Sequence, residues 1–290
     1  MVKQSTLAVT GSVAANLSKI YMNRGKFMVL LAACQPRMKR CWQASVIAAL
    51  FLVCLPMSLY AFDFSQWDAI LKKNTRPSNY EGIGYTGFDY AAILKSREFD
   101  KLVDGLGSYS PEELRGTEEK LAFWINVYNI FAVKLVRDHC PVICIKEVGN
   151  FISPVWEVPA GKVGGRMYSL NDIEHKILRP MNEPAIHFAL VCASVSCPDL
   201  LPEAYMAAAL KSQMKSQVNR FLENREKGMR VDRKNKTVHL SKIFDWYEDD
   251  FKEAGGIVGF LNSERGGSRN IPPDYAIKYL PYNWDLNTVR

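Results

Sequence analysis

One short run, Ala185-Ile-His-Phe-Ala-Leu-Val-Cys-Ala-Ser-Val-Ser-Cys-Pro198, brings together an imidazole and two thiols. The thiolate is the reactive form of cysteine, and a neighbouring imidazole stabilises it. The combination therefore points to acyl chemistry through a covalent thiol intermediate. The apolar stretch 186–192 reads as a buried strand, and 193–196 as a loop of small residues beyond its end. Side chains alternate along a strand, so His187, Ala189 and Val191 share one face while Cys192 takes the other. Cys197 lies past the loop and can swing back over the His187 face, close to a helix start whose dipole lowers a thiol pKa. Cys197 is thus the favoured nucleophile and Cys192 the alternative. A backbone amide of the loop would hold an oxyanion, and Ser196 at its end is a candidate substrate contact.

An imidazole that works as a base needs an orienting partner. The segment Ser169-Leu-Asn-Asp-Ile-Glu-His-Lys-Ile-Leu178 reads as a helix opened by a capping box, Ser169 with Asp172. At helical spacing Leu170, Ile173, Ile177 and Leu178 make one stripe, with Glu174 inside it and His175 to the side. A carboxylate in an apolar stripe requires a buried partner, and so does a histidine in an apolar strand. Pairing Glu174 with His187 satisfies both and completes a Cys-His-Glu triad. The competing arrangement pairs Glu174 with an arginine such as Arg179 and leaves His187 as a core residue. A zinc site from Cys192, Cys197, His187 and His175 would lack the usual ligand spacing, so no metal or other cofactor is expected. Asn126 and Asn129, three apart on one helical face, either line the substrate site or tie down a neighbouring loop.

The elements that must position these groups follow from periodicity. Helical spacing covers 64–73 and 88–106, and 118–136 is apolar over nearly its whole surface, as a central core helix would be. Hairpins are expected over 154–168, turning at Ala160-Gly161, and over 229–240, turning at 233–236. A long amphipathic helix is expected over 204–223 and a shorter one from Ser241 to about Phe251. More helix than strand gives an α+β class, one compact domain with a central buried helix and a small antiparallel sheet.

Charge narrows the partners. Of 37 Lys+Arg residues in 290, seven lie in residues 1–61, where no acidic residue occurs. The remainder is balanced, so composition gives no support for a nucleic-acid partner. Arg37, Lys39 and Arg40 precede the apolar run 46–55, and Ser58-Leu-Tyr-Ala61 follows, the order of a secretory signal. The expectation is an extension over 1–37, a signal peptide over 38–61 or a membrane anchor over 42–61, and an exported domain over 62–290, periplasmic or extracellular. Leu31-Ala-Ala-Cys34 also resembles a lipid-attachment box. The exported part keeps Cys140, Cys144, Cys192 and Cys197, in a compartment that permits disulfides. Cys140 and Cys144 read as core residues or a staple.

Four motifs occur in order: Phe123-Trp-Ile-Asn-Val-Tyr-Asn129, Ser169-Leu-Asn-Asp-Ile-Glu-His175, the cysteine run 186–198, and Leu280-Pro-Tyr-Asn-Trp-Asp-Leu-Asn287. Together, over about Asp89 to Asn287, they resemble the family catalogued as domain of unknown function 547. The resemblance implies a fold similar to papain-like cysteine peptidases, with Cys197 or Cys192, His187 and Glu174 as the matched triad. Relatives joined to glutaredoxin-like modules add glutathione or another small thiol as an implied ligand. The expected function is a thiol-dependent hydrolase or acyl transferase acting on an amide, peptide or thioester. The alternatives are a non-catalytic module for a peptide or glutathione, and a structural disulfide or zinc site. Oligomeric state is open.

Overall fold

The computed structural model describes residues 61–290 apart from 151, 152, 266, 268 and 269. The expected extension and the signal or anchor segment, Ala61 aside, lie outside the described residues. Helix α1 (Ser65–Asn74) buries Trp67, Ile70 and Leu71. A hairpin follows, β1 (Thr75–Tyr80) against β2 (Ile83–Phe88), around Glu81-Gly82. Both turn residues have positive φ, 52° and 83°, as tight two-residue hairpin turns require. The sequence pattern does not announce this hairpin: β1 is polar and contains Pro77, and β2 contains Gly84 and Gly87. The helical stretch expected over 88–106 divides into α2 (Tyr90–Ile93) and α3 (Arg97–Ser108). Asp89 and Ser96 each accept a backbone N–H and so start a fresh helix.

Helix α4 (Thr117–His139) is buried on every face from Leu121 to Val133. A helix apolar all round has to be enclosed by the rest of the chain, and the larger hydrophobic cluster is built on it. No helix among the described residues is long and apolar enough to cross a membrane. The next hairpin, β3 (Pro159–Val163) with β4 (Arg166–Ser169), turns at Gly164-Gly165 and not at Ala160-Gly161. Gly161 lies inside β3, where a Cβ would come within 2.4 Å of the Phe131 ring. Val155–Glu157 forms a 3-10 turn ahead of it. Helix α5 (Leu170–Ile173) carries the expected Ser169–Asp172 capping box, then widens into a π turn over Glu174–Leu178.

The main correction concerns 186–192. No strand forms there; Pro184–Phe188 is a 3-10 turn and the chain to Cys192 is irregular. Pro184 presets φ, and the Glu183 carboxylate caps the Ala185 N–H. The Ile186 and Ala189 N–H groups then bond the carbonyls of Glu183 and Ile186. An apolar run alone does not separate a strand from any other buried segment. This one is apolar because it is wedged between two cores. Ile186, Ala189, Leu190 and Val191 pack with the α4 cluster, while Phe188 enters the second cluster, stacked on Phe260 at 5.6 Å.

Helix α6 (Leu210–Glu223) starts later than its pattern suggests. The amides of Asn126 and Gln213 take the backbone groups of Ala204, Tyr205 and Met206 that a longer helix would have used. Strands β5 (Met229–Asp232) and β6 (Thr237–Leu240) form the expected hairpin. The helix expected after Ser241 is only α7 (Ile243–Trp246), continued by a 3-10 stretch over Glu248–Ala254. Helix α8 (Gly256–Arg265) follows, and β7 (Ala276–Tyr279) joins β6 in parallel. Among the described residues the strands form separate sheets of two, two and three. The α+β class stands, but the single small antiparallel sheet is replaced by three, one of them mixed.

Asn126 is fully buried and bonds both the N–H and the C=O of Tyr205. Asn126→Leu should cost about 2–4 kcal/mol in denaturant unfolding, since two buried backbone groups lose their partner. Thiol reactivity per folded molecule should stay as in the parent chain.

Candidate active site

A cleft of about 510 Å³ opens beside the cysteine segment, and Glu174, His187, Cys192 and Cys197 all line it. The two thiols are not equivalent. Cys197 is 3% exposed; its sulfur accepts the Cys192 N–H at 2.9 Å and faces the Leu190 carbonyl at 3.7 Å. Burial, then the neighbouring Cys192, pushes the Cys197 thiol well above the ordinary cysteine value. Cys192 goes the other way. The Cys197 side chain hydrogen-bonds it, burial opposes ionisation, and Ser194 and Tyr282 add further hydrogen bonds; the net effect lowers its thiol to about 7. The Ser194 hydroxyl lies 3.2 Å and the Tyr282 hydroxyl 3.3 Å from its sulfur. Burial, followed by the two thiols, holds the Tyr282 phenol well above its usual range, so it remains a donor. Of the two sulfurs, Cys197 is thus tied to the backbone and Cys192 carries the lowered thiol. The next residue, Ala193, has φ 56°, a left-handed conformation that a residue with a Cβ adopts at a cost.

His187 is buried at 4% exposure, but its partner is not Glu174. Its Nε2 bonds Asp250 Oδ2 at 2.7 Å. Arg179 grips the same carboxylate with two donors, Nε to Oδ2 at 2.7 Å and Nη2 to Oδ1 at 2.6 Å. Burial opposes ionisation of Asp250, but the hydrogen bonds from His187 and Arg179 prevail and hold it well below the usual carboxylate range. A carboxylate accepts from Nε2, which leaves the lone pair of the neutral ring on Nδ1. Tyr247 stacks on the imidazole, ring centroids 4.0 Å apart. Glu174 is buried as its helical phase predicts, while His175 is exposed. The Tyr128 hydroxyl donates to Glu174 at 3.1 Å, and Tyr247 also hydrogen-bonds it. Glu174 therefore fixes the ring stacked on His187 and reaches the imidazole only through Tyr247.

The remaining candidates are fastenings. Asn129 donates to Ala189 O at 3.0 Å and accepts from Val191 N at 2.9 Å. Ser196, 1% exposed, accepts the Asn283 N–H at 2.9 Å. Asn126 holds Tyr205, as described above. All three side chains are engaged with backbone groups of the fold. Of the expected loop, the Val195 and Ser196 amides donate to the carbonyls of Asp285 and Asn283, whereas the Ser194 N–H hydrogen-bonds the Cys192 sulfur. Lys227, 2% exposed, donates to the carbonyls of Val195 and Cys197 and pairs with Asp199 at 2.8 Å. Among the described residues no group of three or more His, Cys, Asp or Glu side chains is disposed to hold a metal ion. His175 instead meets Arg179 at 2.6 Å. All four described cysteines are free thiols, Cys140 and Cys144 half-buried.

Sequence reasoning missed Asp250, Tyr247, Tyr282 and Lys227. Asp250 sits in an acidic run, Glu248-Asp-Asp250, that looks like a solvated face. The usable signal was Phe251, an apolar anchor that turns its neighbour inward. Tyr282 lies within the Leu280–Asn287 motif.

Residues 111–222 match the family described as "Protein of unknown function, DUF547". No curated protein and no solved structure matches the chain. The matched region holds Glu174, His187 and both thiols, and is narrower than the 89–287 span of the motifs. Asp250, Tyr247 and Tyr282 come from beyond it.

Hydrogen bonds to a thiolate favour the charged form. The alkylation rate of Cys192 should therefore rise with pH through a midpoint near 7. Tyr282→Phe removes one of those donors and should move the midpoint up toward the ordinary ~8.5. Rate–pH profiles of the parent and the variant, with peptide mapping, check the shift.

Proposed function

We propose that this domain is a thiol-dependent hydrolase or acyl transferase in which Cys192 attacks, His187 moves the proton and Asp250 orients the imidazole. The observation that carries this reading is one cleft lined both by Cys192, whose sulfur meets the Ser194 and Tyr282 hydroxyls, and by His187, whose Nε2 is locked by a carboxylate. Nδ1 removes the thiol proton, and the sulfur adds to the carbonyl carbon of an amide or thioester. The imidazolium returns that proton to the departing amine or thiol, leaving an acyl-Cys192. Water or an acceptor nucleophile then attacks with Nδ1 as base and regenerates the thiol. The Tyr247 face supports the imidazolium. The donors at the reacting sulfur are the Ser194 backbone N–H and the Ser194 and Tyr282 hydroxyls, and these take the role of oxyanion contacts. The roles are those of a papain-like enzyme, and the likeness is drawn from these roles.

Iodoacetamide labelling with peptide mapping tests the assignment. Cys192 should label first among the described cysteines, and His187→Ala should slow it. Asp250→Asn should lower turnover of a thioester substrate about 10²-fold or more, because both the tautomer and the charge support suffer. Equal labelling of all four thiols, unchanged by His187→Ala, would overturn the enzyme reading. It would favour a non-catalytic cleft for a peptide or a small thiol such as glutathione.

A further inference from the structure

Three of the six tryptophans in the chain, Trp156, Trp246 and Trp284, come from distant segments to line this one cleft. Trp246 and Trp284 stack with centroids 5.5 Å apart, and Trp156 lies 6.2 Å from Trp284. Tyr282 lies 4.5 Å from Trp284 and 4.8 Å from Trp246, and its hydroxyl meets the Cys192 sulfur. These three rings thus form one cluster that adjoins the nucleophile. Trp246 remains 46% exposed. Large rings are the side chains that gain most from burial, and apolar surface left open at a cleft marks a place where a ligand is to cover it.

A charge lies on this cluster. Lys146 Nζ sits 3.4 Å from the Trp284 ring centroid. It forms no ion pair among the described residues, and the adjacent Glu147 is turned to the Ile143 N–H. The carboxylate lining the same cleft, Glu174, is occupied by two tyrosines. The cleft therefore offers the open apolar face of Trp246, an ammonium seated on Trp284 with no ion-pair partner among the described residues, and a nucleophile.

Resting on the thiol reading above, we propose that the substrate is an acyl donor with a carboxylate beside a flat apolar group. The flat face stacks on the exposed Trp246, and the carboxylate meets Lys146 above Trp284. The test uses the full chain and two pairs of thiol reagents read at Cys192: iodoacetate against iodoacetamide, and N-phenylmaleimide against N-methylmaleimide. Lys146→Met should lower the iodoacetate-to-iodoacetamide rate ratio about two- to fivefold, the range of one exposed ion pair, and Lys146→Glu should lower it further. Trp246→Ala should lower the phenyl-to-methyl ratio about two- to tenfold, the range of one aromatic contact. Thermal unfolding of each variant identifies any misfolded chain, and Trp246→Gln is the substitute if the alanine variant unfolds. Ratios unchanged in folded variants whose Cys192 still reacts overturn the substrate class and leave the thiol reading standing. A parent Cys192 inert to all four reagents overturns both.

Discussion

A buried backbone without regular structure has to find a partner for every N–H and C=O, and the segment from Ala189 to Cys197 meets this demand with other parts of the chain. Asn129 on the central helix takes the Ala189 carbonyl and the Val191 N–H. Cys197 takes the Cys192 N–H and the Leu190 carbonyl. Lys227 takes the carbonyls of Val195 and Cys197, and the C-terminal stretch around Asn283–Asn287 takes Ala193 O, Val195 N and Ser196 N. Apart from Cys197, which belongs to the segment itself, the partners come from three distant parts of the chain, and the position of Cys192 is a product of the whole fold.

This constraint separates the two thiols. A sulfur that accepts one backbone N–H and faces a carbonyl is committed to the scaffold, and burial raises its pKa. That is Cys197. Cys192 is instead surrounded by donors, the Cys197 side chain first and then Ser194 and Tyr282, and has a lowered pKa. The strand-face argument chose Cys197 because it assumed a regular strand, and the assumption failed at Pro184. Once the chain leaves strand geometry, alternation no longer says which side chain faces the cleft.

Much of the scaffold was legible because its physics is local. The Ser169–Asp172 box, the burial of Glu174 with His175 outside, the all-apolar helix around Asn126 and Asn129, and the 229–240 hairpin each depend on spacing within a few residues. The pairing of His187 with Asp250 spans 63 residues, and no periodicity encodes it. Likewise the two asparagines announce themselves as buried amides needing partners, but not whether those partners are substrate or backbone. Lys227 was illegible for the opposite reason. A lysine in Arg-Glu-Lys-Gly reads as surface, and only the crowd of carbonyls beneath it makes burial tolerable.

The two carboxylates around the imidazole have divided their roles according to their neighbours. Asp250 touches His187 directly, and Arg179 offsets its charge from the far side, so an ionised group can remain at the ring whether His187 is neutral or protonated. Glu174 has no ion-pair partner among the described residues and is held by phenols, which donate hydrogen bonds without adding charge. Had Glu174 taken the Nε2 position as well, two carboxylates would have shared one proton site in a low-dielectric pocket, an arrangement that like-charge repulsion disfavours. Routing Glu174 through Tyr247 avoids that repulsion and still fixes the ring against which the imidazole stacks. Asp250 and Tyr247 both lie beyond residue 222, whereas the thiol and the imidazole lie before it. The chemistry of the cleft therefore depends on the second hydrophobic cluster, which anchors Phe251 beside Asp250 and Phe188 beside His187 and so brings the two halves of the site into register.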